Sequence, residues 1–294
     1  MRKVLMLFFV VAASLALFGC NSSEFKVDGE FLAYEAQVHT NGTPQVTYVT
    51  VTIEKGKIVG YSIDVRQGTK TQNAETGAWA FAFNAKTKKE LGFDYNMKPV
   101  SAIGKEWFEQ AAEIEKFWLA NGVEAMTTKE GNFIDNVTGV SMKDAYSAVA
   151  LKAIENAKAG KFQAIYVSGT DLYSVHMTVE KGNVTELILD TLQMNRASAT
   201  SGTFTWNAQT KQQLGYAYRM HGQRDLSEAD YKTWLQTNNK LEWFEQVNLI
   251  TDDIVAKGWR SNAAEQVPAG VTITTSGYYN VLSQVYGFAG KSVK

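Results

Sequence analysis

One block of this sequence is written twice. Phe83-Asn84-Ala85-Lys86-Thr87-Lys88-Lys89-Glu90-Leu91-Gly92-Phe93-Asp94-Tyr95-Asn96-Met97 returns as Trp206-Asn207-Ala208-Gln209-Thr210-Lys211-Gln212-Gln213-Leu214-Gly215-Tyr216-Ala217-Tyr218-Arg219-Met220. Glu54-Lys55-Gly56 returns as Glu180-Lys181-Gly182, Glu106-Trp107-Phe108-Glu109-Gln110 as Glu242-Trp243-Phe244-Glu245-Gln246, and Ala159-Gly160-Lys161 as Ala289-Gly290-Lys291. The order is kept, and the offsets differ only by loop-sized insertions. A period this long does not suit a solenoid, in which repeats run to roughly 20–50 residues. It points to a whole domain duplicated in tandem. The boundary near Ala159-Gly160-Lys161 gives residues 27–160 as the first copy and 161–294 as the second.

Each copy carries the same local patterns. Val46–Ile53 and Ile58–Val65 alternate about a turn at Lys55-Gly56-Lys57, which is a β-hairpin signature. Tyr173–Val179, Lys181-Gly182-Asn183 and Val184–Leu189 repeat it. A further strand pair is expected at Ala78–Asn84 and Leu91–Met97, turning at Lys86-Thr87-Lys88. Glu106–Ala120 and Leu241–Ala256 read as amphipathic helices ended by Gly122 and Gly258. Ser141–Ala159 reads as a second helix, with Tyr278–Tyr286 as its weaker counterpart. The fold class is therefore α+β: antiparallel sheet plus helices, in two tandem copies.

Composition narrows the function. Hydrophobic residues make up 45% of the 294, enough for a packed core, and the net charge is −1 with no basic cluster, which argues against nucleic acid as a partner. A single cysteine excludes an internal disulfide and a cysteine-rich zinc site. His39, His176 and His221 stand far apart, without metal-ligand spacing. No Ser–His–Asp arrangement or glycine-rich phosphate loop stands out.

The N-terminus is an address. Arg2 and Lys3 precede an apolar run, Val4–Phe18, and Gly19-Cys20 follow. A short basic segment and a run of this length make a secretory signal. Leu17-Phe18-Gly19-Cys20 resembles the lipobox of bacterial lipoproteins, with Phe18 bulkier than the usual residue at its place. The resemblance implies cleavage of residues 1–19, a diacylglyceryl group on Cys20, a short tether over residues 20–26, and a place on the outer face of the cell membrane. Two acyl chains anchor stably where one does not.

The segment with chemical promise is Asp135-Asn136-Val137-Thr138-Gly139-Val140-Ser141. Its counterpart in the second copy is Gln266-Val267-Pro268-Ala269-Gly270-Val271-Thr272-Ile273-Thr274. Read plainly, each is a turn and a helix cap, for which serine and threonine are favoured. The pattern also resembles the flavinylation motif of the FMN-binding domain family: Asp, two residues, Ser or Thr, Gly, Ala, then Ser or Thr at the opening of a helix. Val140 and Val271 replace the alanine, and Gln266 and Ala269 replace the acid and first hydroxyl of the second motif.

The resemblance implies two copies of an FMN-binding-like domain. It implies FMN held by a phosphodiester to Ser141 and to Thr272, attached by a flavin transferase that reads Asp135, with Thr138, Gly139 and Gly270 completing the sites. The glycines would let backbone approach the phosphate, and a helix N-terminus would face it. Lipoproteins with two such repeats carry electrons from the membrane quinone system to external acceptors such as ferric iron. They are carriers more than enzymes. Two alternatives stay open: a flavin-free ligand-binding or adhesive surface lipoprotein, and a precursor whose signal segment, ending Ser14-Leu15-Ala16-Leu17-Phe18-Gly19, yields a peptide pheromone.

Other conspicuous residues read as scaffold. Trp107, Phe108, Trp243, Phe244, Tyr95, Tyr218, Met97 and Met220 are expected in the core. Glu106, Glu109 and Glu113, echoed by Glu242 and Glu245, are expected on a solvated helix face. The anchor is directly testable: Cys20→Ser removes the thiol that would take the lipid, so the variant should leave the membrane fraction. Full retention in membranes would contradict the lipoprotein reading.

Overall fold

The computed structural model describes residues 24–195, 202–260 and 267–293; the signal segment, Cys20 and Gln266 lie outside these. Strands β1 (Gly29–Val38), β2 (Pro44–Glu54), β3 (Lys57–Gln72) and β4 (Trp79–Phe83) form an antiparallel sheet in chain order. Helix α1 (Lys88–Leu91), helix α2 (Trp107–Asn121), a short pair β5 (Thr128–Lys129) and β6 (Phe133–Ile134), and helix α3 (Ser147–Ala159) follow. The second half runs β7 (Lys161–Ser168), β8 (Asp171–Glu180), β9 (Asn183–Asn195), β10 (Thr205–Trp206), α4 (Lys211–Leu214), α5 (Glu228–Thr237), α6 (Trp243–Lys257) and α7 (Ser276–Ala289). Its strands also pair in chain order. The fold is α+β, with two antiparallel four-stranded sheets. Among the described residues no helix is long and apolar enough to cross a membrane.

The local chemistry matches between halves. Both hairpin turns place two residues at positive φ, Lys55-Gly56 and Lys181-Gly182, the conformation that suits the twist of paired strands. Both β-ladders shift register two residues earlier, at Thr52/Ile53 and at Thr178/Val179. Helices α2 and α6 start within two residues of expectation and end at Gly122 and Gly258, both at positive φ.

Some expectations are corrected. Leu91–Met97 is no strand. Thr87 caps α1, its hydroxyl accepting the Glu90 N–H while the Glu90 carboxylate accepts the Thr87 N–H. A 3-10 turn, Gly92–Tyr95, follows. Thr210 and Gln213 do the same for α4. Strand β4 pairs instead with the far end of β3, Gly68 to Phe83 and Gln72 to Trp79. Helix α3 begins at Ser147, because the Asp144 carboxylate takes the Tyr146 and Ser147 N–H groups and thereby sets the first turn there.

The halves share one hydrophobic core, and equivalent residues meet across it. Glu30 pairs with Thr52 and Lys161 with Thr178, so Phe31 and Phe162 correspond; their rings stack at 4.2 Å. Phe81 meets its counterpart Phe204 at 5.3 Å, and Phe83 meets Trp206 at 5.9 Å. Self-contact of corresponding residues is the mark of an isologous, two-fold-related interface. Gly29, at φ +145, lies under this contact: a Cβ there would sit 2.6 Å from the Phe288 carbonyl and 2.7 Å from the Phe162 ring.

Phe31→Ala and Phe162→Ala should each destabilise by about 3–5 kcal/mol. Because the rings touch, the double variant should fall short of the sum by about 1 kcal/mol. Urea denaturation followed by tryptophan fluorescence and by circular dichroism measures both; full additivity would contradict the shared core.

Candidate functional site

Helices α2 and α6 bury the same stripe: Trp107, Gln110, Ala111, Ile114 and Trp118 in one, Trp243, Gln246, Val247, Ile250 and Ile254 in the other. The glutamine is the polar residue that both stripes bury at the same place, 0% exposed at Gln110 and 1% at Gln246. A buried amide must find partners. Gln110 Oε1 accepts the Ser141 N–H at 2.8 Å and the Ser141 hydroxyl at 3.3 Å. Gln246 Oε1 accepts the Thr272 N–H at 2.7 Å and the Thr272 hydroxyl at 3.2 Å. On the other side the Gln110 amide donates to Ser101 Oγ and the Lys105 carbonyl, and the Gln246 amide donates to the Leu241 carbonyl.

This arrangement has a chemical consequence. Each hydroxyl proton is turned inward to the glutamine, which leaves the oxygen lone pairs facing outward. Thr272 is exposed and Ser141 half-buried. Ser141 lies six residues ahead of the first residue of α3, and Thr272 four ahead of that of α7. Neither hydroxyl opens its helix as expected; a glutamine carbonyl holds each instead. Gly139 and Gly270 stand two residues before, at φ +80 and +94, where other residues would be strained.

The first loop is clamped from outside. Asn136 accepts the Thr127 N–H at 2.9 Å and donates to the Ala125 carbonyl at 2.8 Å. Asp135 is exposed and 3.3 Å from Lys129; Thr138 is exposed. The Lys105 ammonium lies against Gly139, where a Cβ would meet it at 2.7 Å. The second loop meets Leu241 and Leu249 there instead. Ala269 and Gly270 are exposed.

Each half has a cavity beside equivalent residues, Asn84 and Tyr95 in the first and Asn207 and Tyr218 in the second. The first, about 580 Å³, is lined by Asn84, Leu91, Asp94 and Tyr95 among others. The second, about 350 Å³, is lined by Asn207, Tyr218, Arg219 and Met220 among others. Met220 joins it to the hydroxyl site, since its sulfur is 3.5 Å from the Gln246 amide nitrogen. Both cavities fall in the size range of small-molecule pockets.

Beneath each cavity a lysine sits on two rings. Lys88 Nζ is 5.0 Å from Tyr95 and 5.4 Å from Trp107; Lys211 Nζ is 5.0 Å from Tyr218 and 5.4 Å from Trp243. Burial pulls the Lys88 amine down to about 8. Trp107 Nε1 donates to Tyr146 Oη at 3.0 Å, and burial pushes that phenol up to about 12. Trp243 and Tyr278 repeat the pair at 2.9 Å.

The glutamates depart from expectation. Glu106 and Glu242 are buried, not solvated. Glu106 accepts the Met97 and Lys98 N–H groups; Glu242 accepts those of Met220 and Trp243 and the Tyr231 hydroxyl. They fix the turns that carry Met97 and Met220. Trp107 and Trp243 are core as expected, whereas Tyr95 and Tyr218 are half-buried and help wall the cavities. Gln110 and Gln246 were not foreseen, though a polar residue on an apolar helical stripe, present in both copies, was the available signal. His176 Nδ1 lies 3.0 Å from Gln163 Nε2. Among the described residues no group of three or more His, Cys, Asp or Glu side chains could hold a metal.

No family model and no curated protein matches the chain. Among solved structures, a Clostridium thermocellum protein determined by solution NMR is similar at 23% identity, over 44% of this chain and 91% of its own, with a TM-score of 0.29. A likeness of that size carries nothing about fold or function.

Lys88 generates a pH prediction. Its folded value lies below the ordinary 10.5, so at neutral pH the fold bears a buried charge that the unfolded chain does not. Stability should rise with pH between about 8 and 9, below the range where tyrosines of the unfolded chain ionise to any large extent. Lys88→Met should flatten that rise. Denaturant midpoints across this window measure it; parallel curves for wild type and variant would contradict the assignment.

Proposed function

We propose that each half is an FMN-binding-like domain carrying one FMN, joined by phosphodiester to Ser141 and to Thr272. The chain, anchored through Cys20 in the cell membrane, then passes electrons from the membrane quinone system to acceptors outside the cell. The observation that carries this reading is the repeated presentation of one hydroxyl by one buried glutamine, Ser141 by Gln110 and Thr272 by Gln246, the second of them joined to a cavity through Met220. The residues present suit the group: a hydroxyl with its proton engaged inward, and a glycine two residues before it.

Each residue has a task. Gln110 and Gln246 hold the acceptor oxygen outward for attachment; afterwards the backbone N–H bond to the glutamine remains and keeps the linkage in place. Gly139 and Gly270 leave room beside the phosphate. Lys105 supplies a cation at the first site. Asp135, exposed, is available for the transferase to read. Bound FMN would supply the electron chemistry, and the protein position and field. Tyr95 and Tyr218 offer aromatic walls. A covalent tie prevents loss of the cofactor outside the cell.

Co-expression with a flavin transferase followed by intact mass tests this. Ser141→Ala and Thr272→Val should each remove one flavin and the double variant both. The fold should change by about 1 kcal/mol or less, because the backbone N–H bonds to the glutamines persist. Asp135→Ala should lower loading at Ser141 and leave Thr272 unaffected. A wild type that never gains flavin would favour a flavin-free surface lipoprotein.

A further inference from the structure

The two cavities share the equivalent pairs Asn84/Asn207 and Tyr95/Tyr218 in their linings and differ in charge. Lys86 and Asp94 line the first, one charge of each sign. The matching residues of the second half are Gln209 and Ala217, both uncharged. Arg219 and Arg224 line the second cavity; Arg219 stands where the first half has Asn96.

Arg219 is built in. Its backbone is left-handed, at φ +56. Its guanidinium stacks 4.2 Å from the Tyr231 ring centroid, and its Nη2 donates to the Leu226 carbonyl at 3.0 Å. Tyr231 belongs to α5, a helix that the first half lacks, and is fully buried. Neither arginine has a described carboxylate at ion-pairing distance; Arg219 acts on Glu228 only from further off, Glu228 being paired with Lys232 at 2.6 Å, and Arg219 Nη1 is buried without a hydrogen-bond partner.

The neighbouring charges do not cancel this difference. Glu106 and Glu242 occupy the same place in both halves. Asp171 accepts from Gln193 at 2.9 Å and lies 3.9 Å from Lys211. In the first half Arg66 donates to the Asn84 and Ala85 carbonyls and is 3.9 Å from Glu90, and Lys105 is 3.5 Å from Glu113. The lining of the second cavity thus carries two positive charges where that of the first carries one of each sign, and Met220 and Gln246 connect the second cavity to Thr272.

Resting on the flavin reading above, we propose that the two sites form an ordered pair. The cavity walled by Arg219 and Arg224 makes the flavin on Thr272 the stronger electron acceptor, and the flavin on Ser141 its donor within the chain. Two electrons and one proton added to a flavin leave one more negative charge on it. Guanidinium groups nearby favour that form, above all that of Arg219, which Tyr231 and the Leu226 carbonyl hold in place.

The test is redox titration with dithionite of two singly loaded proteins made with the transferase: Ser141→Ala, loaded only on Thr272, and Thr272→Val, loaded only on Ser141. The Thr272 flavin should have the higher potential, with electron exchange favouring it at least tenfold, which is about 30 mV for a two-electron couple. Arg219→Gln and the exposed Arg224→Gln should each lower the potential in the Ser141→Ala background and leave it unmoved in the Thr272→Val background. Asp94→Asn should raise it only in the latter. Equal potentials in two loaded variants, or arginine variants without effect, would overturn this inference alone. A protein that takes no covalent flavin would overturn the flavin reading and this inference with it.

Discussion

A side-chain amide buried in an apolar helix face has to be satisfied by whatever packs against it, and here that requirement organises both halves. Gln110 and Gln246 are almost wholly removed from water. Leaving such a group unpaired costs roughly 1–3 kcal/mol, so the loop that approaches must bring donors. The loops that arrive bring the N–H and hydroxyl of Ser141 and of Thr272. One turn earlier on the same helices, Glu106 and Glu242 impose the same demand on the segments carrying Met97 and Met220. The loop with the hydroxyl and the wall of the cavity are thus both pinned to the first turn of one helix. Apolar packing alone would hold neither in register.

The two-fold relation between the halves adds a second constraint. Corresponding rings meet at Phe31 and Phe162 and again at Phe83 and Trp206. The next residues along those last two strands, Asn84 and Asn207, line the two cavities. The packing that joins the halves therefore sits beside both cavities. Symmetry of the backbone does not extend to charge. The insertion that forms α5 braces Arg219, and only the second half has it.

Much of the architecture was legible from residue patterns, for identifiable reasons. Repeated blocks correspond to repeated contacts, the hairpins turn at Lys55-Gly56 and Lys181-Gly182, and the long helices stop at their glycines. The errors are as instructive. Leu91–Met97 looked like a strand by alternation, but the Thr87-x-x-Glu90 and Thr210-x-x-Gln213 spacings specify caps, and a satisfied cap outweighs a short alternating run. Glu106 and Glu109 looked like a solvated face because they are three apart; the same spacing lets Glu109 accept the Glu106 N–H, which frees the Glu106 carboxylate to turn inward. Strand β1 went unread because its burial does not alternate cleanly; β7 alternates over Lys161–Ile165 and was missed all the same. The glutamines escaped because their role lies in a loop some thirty residues away, a tertiary contact that no local pattern encodes.

The central claim is that these two hydroxyls, and no other side chains, carry flavin. Peptide mapping of the denatured, fully loaded protein tests it most directly. Trypsin should release two flavin-bearing peptides, one spanning residues 130–143 with Ser141 and one spanning 261–291 with Thr272, and fragmentation should place the added mass on those two residues. Flavin on any other peptide, or flavin released entirely on denaturation, would contradict the account.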